Sequence, residues 1–381
     1  MKIEALKSLF KKHKELALSH RYITNKHIEP LLEKFDNSVW RETIGQSVLG
    51  KPIYGLKIGT GKKRVLMWSQ MHGNESTTTK ALFDLLNTLL ANSSGVNDIL
   101  ESCTLYVIPI LNPDGAEAYT RVNANEIDLN RDAQNLSQPE SKVLRVVFNS
   151  FKPHFCYNLH GQRTIFSAGK RNKSAIVSFL SPAQDEGCTV TENRKVSMEI
   201  IAEMYRVLQE LIPSHVGVYD DAFNLNCVGD TFQSENVPTI LFEAGHYPGD
   251  YGREKTRELI YISYLSSLLY ISKNEVTGAY YKPYFDIPEN EKYFYDIIIR
   301  NAQFGTEKQD VAIQFQERLM GGRIQFIPKV VEIGDLNNFF GHKEIEVQGN
   351  EVKTVTGELL KIDSENVFVM IKNKKTSLIS E

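Results

Sequence analysis

Cysteine is scarce in this chain, at 4 of 381 residues. The four stand far apart, and no two have the spacing of a paired-cysteine metal site. Such low usage argues against a disulfide framework and is typical of proteins from a reducing compartment. The sequence therefore predicts a cytoplasmic protein.

Long apolar runs and an excess of one charge are also missing. The longest apolar helical stretch, residues 259–271, is shorter than the roughly 20 residues that a membrane span needs. The first twenty residues mix lysine with glutamate and do not have the apolar stretch of a signal peptide. The 44 Lys+Arg and 47 Asp+Glu residues give a formal net charge of −3, without the basic excess of a nucleic-acid binder. We therefore expect neither a membrane nor a nucleic acid as a partner.

The composition is that of a packed globular protein, with 41% hydrophobic and 24% charged residues. A helical pattern extends to about Glu33, with Leu6 and Phe10 on its apolar face. From about residue 40 to 272, short apolar strand-like segments alternate with amphipathic helical patterns. This alternation predicts an α/β fold with a sheet covered by helices on both faces.

After Asn274 the pattern becomes β-rich and is interrupted by glycines. We place a domain boundary there, which gives a catalytic domain with an N-terminal helical extension at 1–274 and a smaller β-rich C-terminal domain at 275–381. The C-terminal domain carries no recognisable chemistry. Two roles stay open for it, namely bordering the cleft to limit substrate size and mediating association.

A candidate metal site begins at His72-Gly73-Asn74-Glu75, between a buried strand pattern and a helical pattern. His72 and Glu75 are three residues apart, so an imidazole and a carboxylate can converge from one turn. Both are ordinary zinc ligands, and a catalytic zinc takes three protein ligands. Taken alone the pair is a weak signal, because a loop histidine beside a helix-capping glutamate is the more common arrangement.

The third ligand should come from another strand end at the same edge of the sheet. The predicted strand at residues 154–159 would deliver His160 to that edge. His154 competes for the role but stands at the beginning of the strand, which is the wrong end. We therefore predict His72, Glu75 and His160 as the metal ligands.

Three further side chains have the chemistry of an amide hydrolase. Arg121 and Arg131 lie in polar loops, where a guanidinium offers a planar fork to a carboxylate or an oxyanion, although solvated surface arginines are the common alternative. Glu243 emerges from the apolar strand pattern ending at Phe242, where burial is costly for a carboxylate that is neither paired nor functional. Beside a metal it would move protons during amide cleavage, whereas a structural ion pair to an arginine is the alternative.

Taken in order, six motifs resemble the M14 zinc metallocarboxypeptidase family over roughly residues 40–272. The motifs are HGNE at 72–75, NPDG at 112–115, Arg121, DLNRD at 128–132, NLHG at 158–161 and FEAG at 242–245. Each is weak alone, and their order makes the signal strong. The resemblance implies a mixed, mostly parallel eight-stranded sheet flanked by helices.

The resemblance also assigns roles to single residues. It implies one zinc ion per chain held by His72, Glu75 and His160, with Glu243 as general base and acid. Arg121 matches the arginine that polarises the scissile carbonyl. The pair that binds the terminal carboxylate of the substrate corresponds to Asn130 and Arg131, and Tyr219 is the candidate for the family's mobile capping tyrosine.

Several positions depart from the family or have no counterpart in it. Asn74 replaces an arginine of the digestive enzymes and is shared with the aspartoacylase and succinylglutamate desuccinylase group. Asp132 stands where many carboxypeptidases have asparagine. Separately from the resemblance, the residues of NPDG predict a turn after a strand. Residues 161–237 match no pattern of the family. The sequence therefore leaves open whether Cys227 and Val228 line the specificity pocket or pack in the core. His246 and Asp250 are weaker candidates for substrate contact.

The sequence thus predicts a zinc carboxypeptidase that cleaves a C-terminal peptide bond through a zinc-bound water activated by Glu243. An N-acyl amino acid deacylase, and an amidase acting on cytosolic peptidoglycan fragments, are the alternative enzymes. Accordingly the expected partner is a peptide or an N-acyl amino acid. A catalytically inactive binding module is disfavoured because no ligand or base of the site is missing. The oligomeric state cannot be derived from the sequence.

Overall fold

The computed structural model describes residues 1–36, 38–91, 93 and 95–379. In chain order the strands are β1 Trp40–Gln46, β2 Pro52–Ile58, β3 Lys63–Ser69, β4 Cys103–Ile108, β5 Phe155–Gly161, β6 Ser167–Ala168, β7 Val177–Leu180, β8 Val216–Val218, β9 Thr239–Ala244, β10 Asn290–Glu291, β11 Phe294–Phe304, β12 Glu307–Met320, β13 Arg323–Gly334, β14 Phe340–Glu346, β15 Val352–Thr354, β16 Phe368–Ile371 and β17 Lys374–Ser377. The α-helices are α1 Ile3–His13, α2 Asn25–Leu32, α3 Thr77–Leu90, α4 Asn97–Ser102, α5 Pro113–Ala118, α6 Pro139–Phe151, α7 Glu192–Gln209, α8 Val228–Ser234 and α9 Glu254–Lys273.

Within these residues the main sheet has eight strands in the order β1-β2-β4-β3-β5-β9-β7-β8. The central strands β4, β3, β5 and β9 are parallel to their neighbours in this group. Strand β1 runs antiparallel to β2, β2 to β4 and β7 to β9, whereas β7 and β8 are parallel, so the sheet is mixed. The predicted α/β architecture is confirmed.

Helices cover both faces of this sheet, and the pattern of β3 shows why. Val65 and Met67 face the layer that contains α3 and α9, whereas Leu66 and Trp68 face the layer that contains α6 and α8. A strand with apolar side chains on both faces needs cover on both sides. No helix in the described part of the chain is long and apolar enough to cross a membrane.

The N-terminal extension differs from the predicted helical region. Two helices, α1 and α2, are separated by an irregular segment at residues 14–24. A buried ion pair between Arg257 of α9 and Asp84 of α3 holds that segment, because Arg257 also donates to the carbonyl oxygens of Glu15 and Leu18. Arg257 and Asp84 bind backbone groups that a helix would use internally, so the predicted helical region consists of two helices with an interruption between them.

The last third of the chain is rich in strands, as predicted. One sheet has the order β13-β12-β11-β14, and a smaller one has the order β15-β16-β17. The hairpin β12–β13 is long and closes at Gly321 and Gly322, whose φ angles of 58° and 75° suit a two-residue turn. Strand β10 pairs with β6, so the two parts of the chain share a small sheet. The domain boundary near residue 275 stays a prediction.

Candidate metal centre and active site

The HGNE segment lies in the loop between β3 and α3, at the carboxyl edge of the main sheet. It packs against NPDG, which begins the short helix α5 and is not the turn that we predicted. Asn112 caps α5 by accepting from the backbone of Gly115 at 2.8 Å, and its amide donates to the carbonyl oxygen of Met71 at 3.1 Å. A Cβ atom at Gly73 would lie 2.0 Å from the carbonyl carbon of Gly115, so the two motifs need glycine where they touch.

The three predicted ligands meet at one point. The Nδ1 atoms of His72 and His160 are 3.0 Å apart, His72 Nδ1 is 3.0 Å from Glu75 Oε1, and His160 Nδ1 is 3.0 Å from Glu75 Oε2. Both imidazoles are buried, and the backbone N–H of Gly161 also donates to Glu75 Oε2 at 3.0 Å. His154, the rejected candidate, lies at the other end of β5 and accepts from the backbone of Arg64 at 3.0 Å.

This donor set fits a zinc ion. His72 Nε2 is 3.0 Å from the carboxylate of Asp128, which fixes the proton on Nε2 and leaves the Nδ1 lone pair free. Two imidazole nitrogens that face each other at 3.0 Å, with a carboxylate between them, are repulsive unless a cation is shared. Two histidines and one glutamate are a known catalytic zinc set with an open fourth position.

Glu243 lies beside this centre because of strand register. His160 and Glu243 are paired residues on the parallel strands β5 and β9, so their side chains leave the same face of the sheet. Glu243 Oε2 is buried without a hydrogen-bond partner among the described residues. Burial raises the pKa of the Glu243 carboxyl well above its usual value, and the negative charge of Glu75 raises it further. Such a carboxyl is suited to both accepting and returning a proton.

Arg121 reaches the same centre from the other side. Its Nη1 atom is 3.5 Å from Glu75 Oε1, and its Nε donates to Asp128 Oδ2 at 3.0 Å. Asp128 therefore joins His72 to Arg121. We did not predict Asp128 as a site residue, although it is the first residue of the DLNRD motif.

The Asn130 and Arg131 pair lies next to the centre, on the loop that follows Asp128. Asn130 Oδ1 accepts from the backbone N–H of Val228 at 3.1 Å, so its NH₂ group remains for a substrate oxygen. Arg131 is exposed, and its Nη1 donates to the carbonyl oxygen of Asn130 at 2.8 Å. Asp132 accepts from the backbone of Ser137 and Gln138 and so stabilises the loop itself.

Comparison with known proteins agrees with this geometry. Residues 24–162, which include all three ligands, match the zinc carboxypeptidase family, peptidase family M14. This segment of the chain is similar to the M14 zinc carboxypeptidases. Carboxypeptidase 2 of Trichophyton rubrum is 32% identical over 109 residues, which are 29% of this chain and 20% of that protein. The chain thus matches about a fifth of the length of this relative.

Two further proteins extend the likeness. The gamma-D-glutamyl-L-diamino acid endopeptidase 1 of Lysinibacillus sphaericus is 32% identical over 166 residues, 40% of this chain and 42% of that protein. The crystal structure of a metallo-carboxypeptidase from Burkholderia cenocepacia covers 66% of this chain and 69% of its own with a TM-score of 0.53 and 16% identity. At that identity the likeness shows a shared carboxypeptidase fold.

The remaining candidates have different positions in the structure. Tyr219 follows β8 and is half-buried against Phe166, and burial followed by the charge of Glu243 raises the pKa of its hydroxyl. Asp250 accepts from three backbone N–H groups at the start of α9, which is a structural role. His246 is buried against Tyr251, so it is not at the surface of the cleft.

Val228, left open between pocket and core, is in the core. It packs with Phe232 and Trp68 beneath the site. Cys227 precedes it and is half-buried, and its contact with substrate stays a prediction.

Proposed function

We propose that this protein is a zinc-dependent carboxypeptidase that releases the C-terminal residue of a peptide. The observation that carries the proposal is the convergence of His72, Glu75 and His160, with Glu243 beside His160 on the neighbouring strand. Zinc held by these three ligands supplies a Lewis acid that acidifies water and polarises a carbonyl.

Glu243 is the proton carrier in this proposal. Its carboxylate takes a proton from the attacking water, and its carboxylic acid then returns that proton to the nitrogen of the leaving amine. Among the described residues no group forms a hydrogen bond with its buried Oε2 atom, which supports this role because a structural glutamate in a sheet would be paired. Tyr219 is the proposed capping group over the substrate, and burial together with the charge of Glu243 raises the pKa of its hydroxyl.

The two arginines divide the binding of oxygen atoms between them. Arg121, held by Asp128 beside Glu75, donates to the carbonyl oxygen as negative charge develops there. Arg131 and the NH₂ group of Asn130 bind the terminal carboxylate of the substrate. The guanidinium of Arg131 is exposed and donates within the described residues only to a neighbouring carbonyl, so it is available for a bidentate contact.

A second candidate function has one specific observation in its favour. The match to the endopeptidase of Lysinibacillus sphaericus covers a larger share of both chains than the match to Carboxypeptidase 2. A substrate with a gamma-D-glutamyl-L-diamino acid linkage, as in that protein's name, would use the same zinc centre and the same base. An N-acyl amino acid deacylase would also use them, with Arg131 reading the carboxylate of the amino acid. The cytoplasmic location stays a prediction from cysteine usage, and the four cysteines are free thiols in the structure.

A panel of substrates tests the proposal. Zinc-loaded protein is incubated with dipeptides, N-acyl amino acids and a gamma-D-glutamyl dipeptide, and the released amino acids are quantified. We expect release from ordinary α-peptides to exceed the other two classes. Preferential cleavage of N-acyl amino acids would replace the carboxypeptidase with the deacylase, and preference for the gamma linkage would favour the second candidate.

A further inference from the structure

A cavity of about 320 Å³ is lined by Glu75 and Arg121 of the metal centre. Its floor comes from the main sheet edge, with Asn74, Gln162 and Arg163, and its far side comes from the hairpin β12–β13. Asn130 and Arg131 do not line it, since they lie towards α8. The volume is at the lower end of the range of about 300–1,000 Å³ for small-molecule sites.

The hairpin is fastened over this cavity by polar contacts. Glu317 of β12 accepts from Arg21 Nη2 at 2.9 Å and from the hydroxyl of Tyr119. The side chain of Arg21 is only 11% exposed, so the ion pair is largely desolvated. Separating the two charges would leave each of them poorly solvated. This cost keeps the hairpin in place.

Aromatic packing fastens the same part of the hairpin. The rings of Phe315 and Phe326 lie 5.0 and 5.2 Å from the ring of Tyr251, which precedes α9. The hydroxyl of Tyr251 donates to Asp296 of β11 at 2.9 Å. The distal hairpin is therefore packed against loops of the main sheet.

These contacts form a partition. Beyond them lies a second cavity of about 560 Å³, between the N-terminal segment near His20 and the hairpin tip near Ile324. Arg21, Tyr251 and Phe326 line both cavities and so stand between them. A chain entering the first cavity from the metal centre meets this partition.

We propose that the hairpin β12–β13 is the end wall of the substrate cleft and restricts the enzyme to short peptides. The inference rests on the proposed function, because a carboxylate held by Arg131 directs the residues before the scissile bond towards the cavity beside Arg121. The cavity holds about one or two such residues, in keeping with its small volume. Dipeptides and tripeptides fit, whereas a longer peptide collides with the partition.

A shortened hairpin tests this wall. Removing residues 317–320 and 323–326 joins Gln316 to Ile327 through Gly321 and Gly322. The deletion takes out four complete cross-strand pairs, so the register and the facing of the remaining residues are kept. It also removes Glu317 and Phe326, which line the cavity. The matched control is Arg318→Ala, because Arg318 lies on the same strand and lines neither cavity.

The measurement compares kcat/KM for a dipeptide and a hexapeptide with the same two C-terminal residues. We expect wild type and Arg318→Ala to prefer the dipeptide by about ten-fold or more, since a steric clash discriminates against the longer chain. The shortened hairpin should bring the two values to within about three-fold. Equal kcat/KM values for the two peptides in wild type would contradict the proposed end wall. An unchanged preference for the dipeptide in a folded protein with the shortened hairpin would also contradict it. Should the shortened protein not fold, as judged by circular dichroism, Phe326→Ala should give a smaller gain in the same direction, and no gain would count against the proposal.

A binding experiment separates this inference from the proposed function. The affinities of zinc-loaded Glu243→Gln for the dipeptide and the hexapeptide are measured by calorimetry. Selective binding of the dipeptide supports the wall even where wild type hydrolyses neither peptide, an outcome that would reject the carboxypeptidase. Equal binding of both peptides rejects the wall even where hydrolysis occurs.

Discussion

The two ends of the cleft are built differently. At one end Asn130 and Arg131 lie on a loop, and the guanidinium of Arg131 is exposed. At the other end the cavity is bordered by an ion pair between Arg21 and Glu317 and by packed aromatic rings. The first end is equipped to bind a charged group, and the second is equipped to exclude a long chain. Under the proposed function, one end recognises the terminus of a peptide and the other limits its length.

The largest loss of activity should come from a change at the metal centre, which lies between the two ends of the cleft. Glu243→Gln keeps the size of the side chain but cannot carry a proton. We expect kcat to fall by about 10²–10⁴-fold or more, with the loss at the upper end because the group acts in two proton transfers. The factor should be the same for short and long peptides, while metal analysis shows unchanged zinc. A variant that keeps more than about a tenth of wild-type kcat would move the base elsewhere.

Arg131→Ala removes the contact to the terminal carboxylate of the substrate and leaves the hairpin end of the cleft unchanged. A bound substrate would cover the Arg131 guanidinium and its carboxylate partner, and loss of one partner of a buried charge pair costs about 2–5 kcal/mol. We therefore expect kcat/KM for peptides with a free carboxylate to fall by roughly 30-fold to several thousand-fold. Arg131→Lys should restore only part of the activity, because lysine keeps the charge without the planar fork. The preference for dipeptide over hexapeptide should survive in both variants. Unchanged kinetics in Arg131→Ala would make this residue a surface arginine.

Asp128→Asn tests the connection between Arg121 and the metal centre. The neutral amide holds the proton on His72 Nε2 more weakly than the carboxylate does, so zinc affinity should weaken by about 10- to 100-fold. Competition with a chelator measures that affinity. His160→Ala removes a ligand itself and should lose more, with the fold preserved because the site stands on preformed strand ends. Full zinc occupancy in His160→Ala would contradict the ligand set.

The smallest effect should come from Glu317→Gln, which weakens the wall without removing it. The amide still accepts a hydrogen bond from Arg21 but loses the charge pairing. We expect kcat/KM for the hexapeptide to rise by about two- to five-fold, with the dipeptide unchanged. Equal changes for both peptides would place Glu317 in catalysis and not in the wall.

The same contrast explains how much was predictable. The sequence predicted alternating strands and helices from about residue 40 to 272 and placed HGNE between a strand and a helix, and the structure confirms both, with β3 before HGNE and α3 after it. Residues 161–237 matched no pattern of the family, and their strands β7 and β8 are short and pair with strands that are remote in sequence. The proposed end wall could not be predicted from the sequence either, since Arg21 and Glu317 are 296 positions apart and neither belongs to a motif. Asp128 was within reach, because it opens a motif that we had noted for other residues.

The central claim is that the protein removes a residue from a free carboxyl terminus. The most direct measurement gives zinc-loaded wild type one short peptide in two forms, with a free and with an amidated C-terminus. We expect release of the last residue from the free form. Cleavage of the amidated form should be slower by a factor of about 30 or more, as loss of the Arg131 contact implies. Equal cleavage of the two forms would contradict the account.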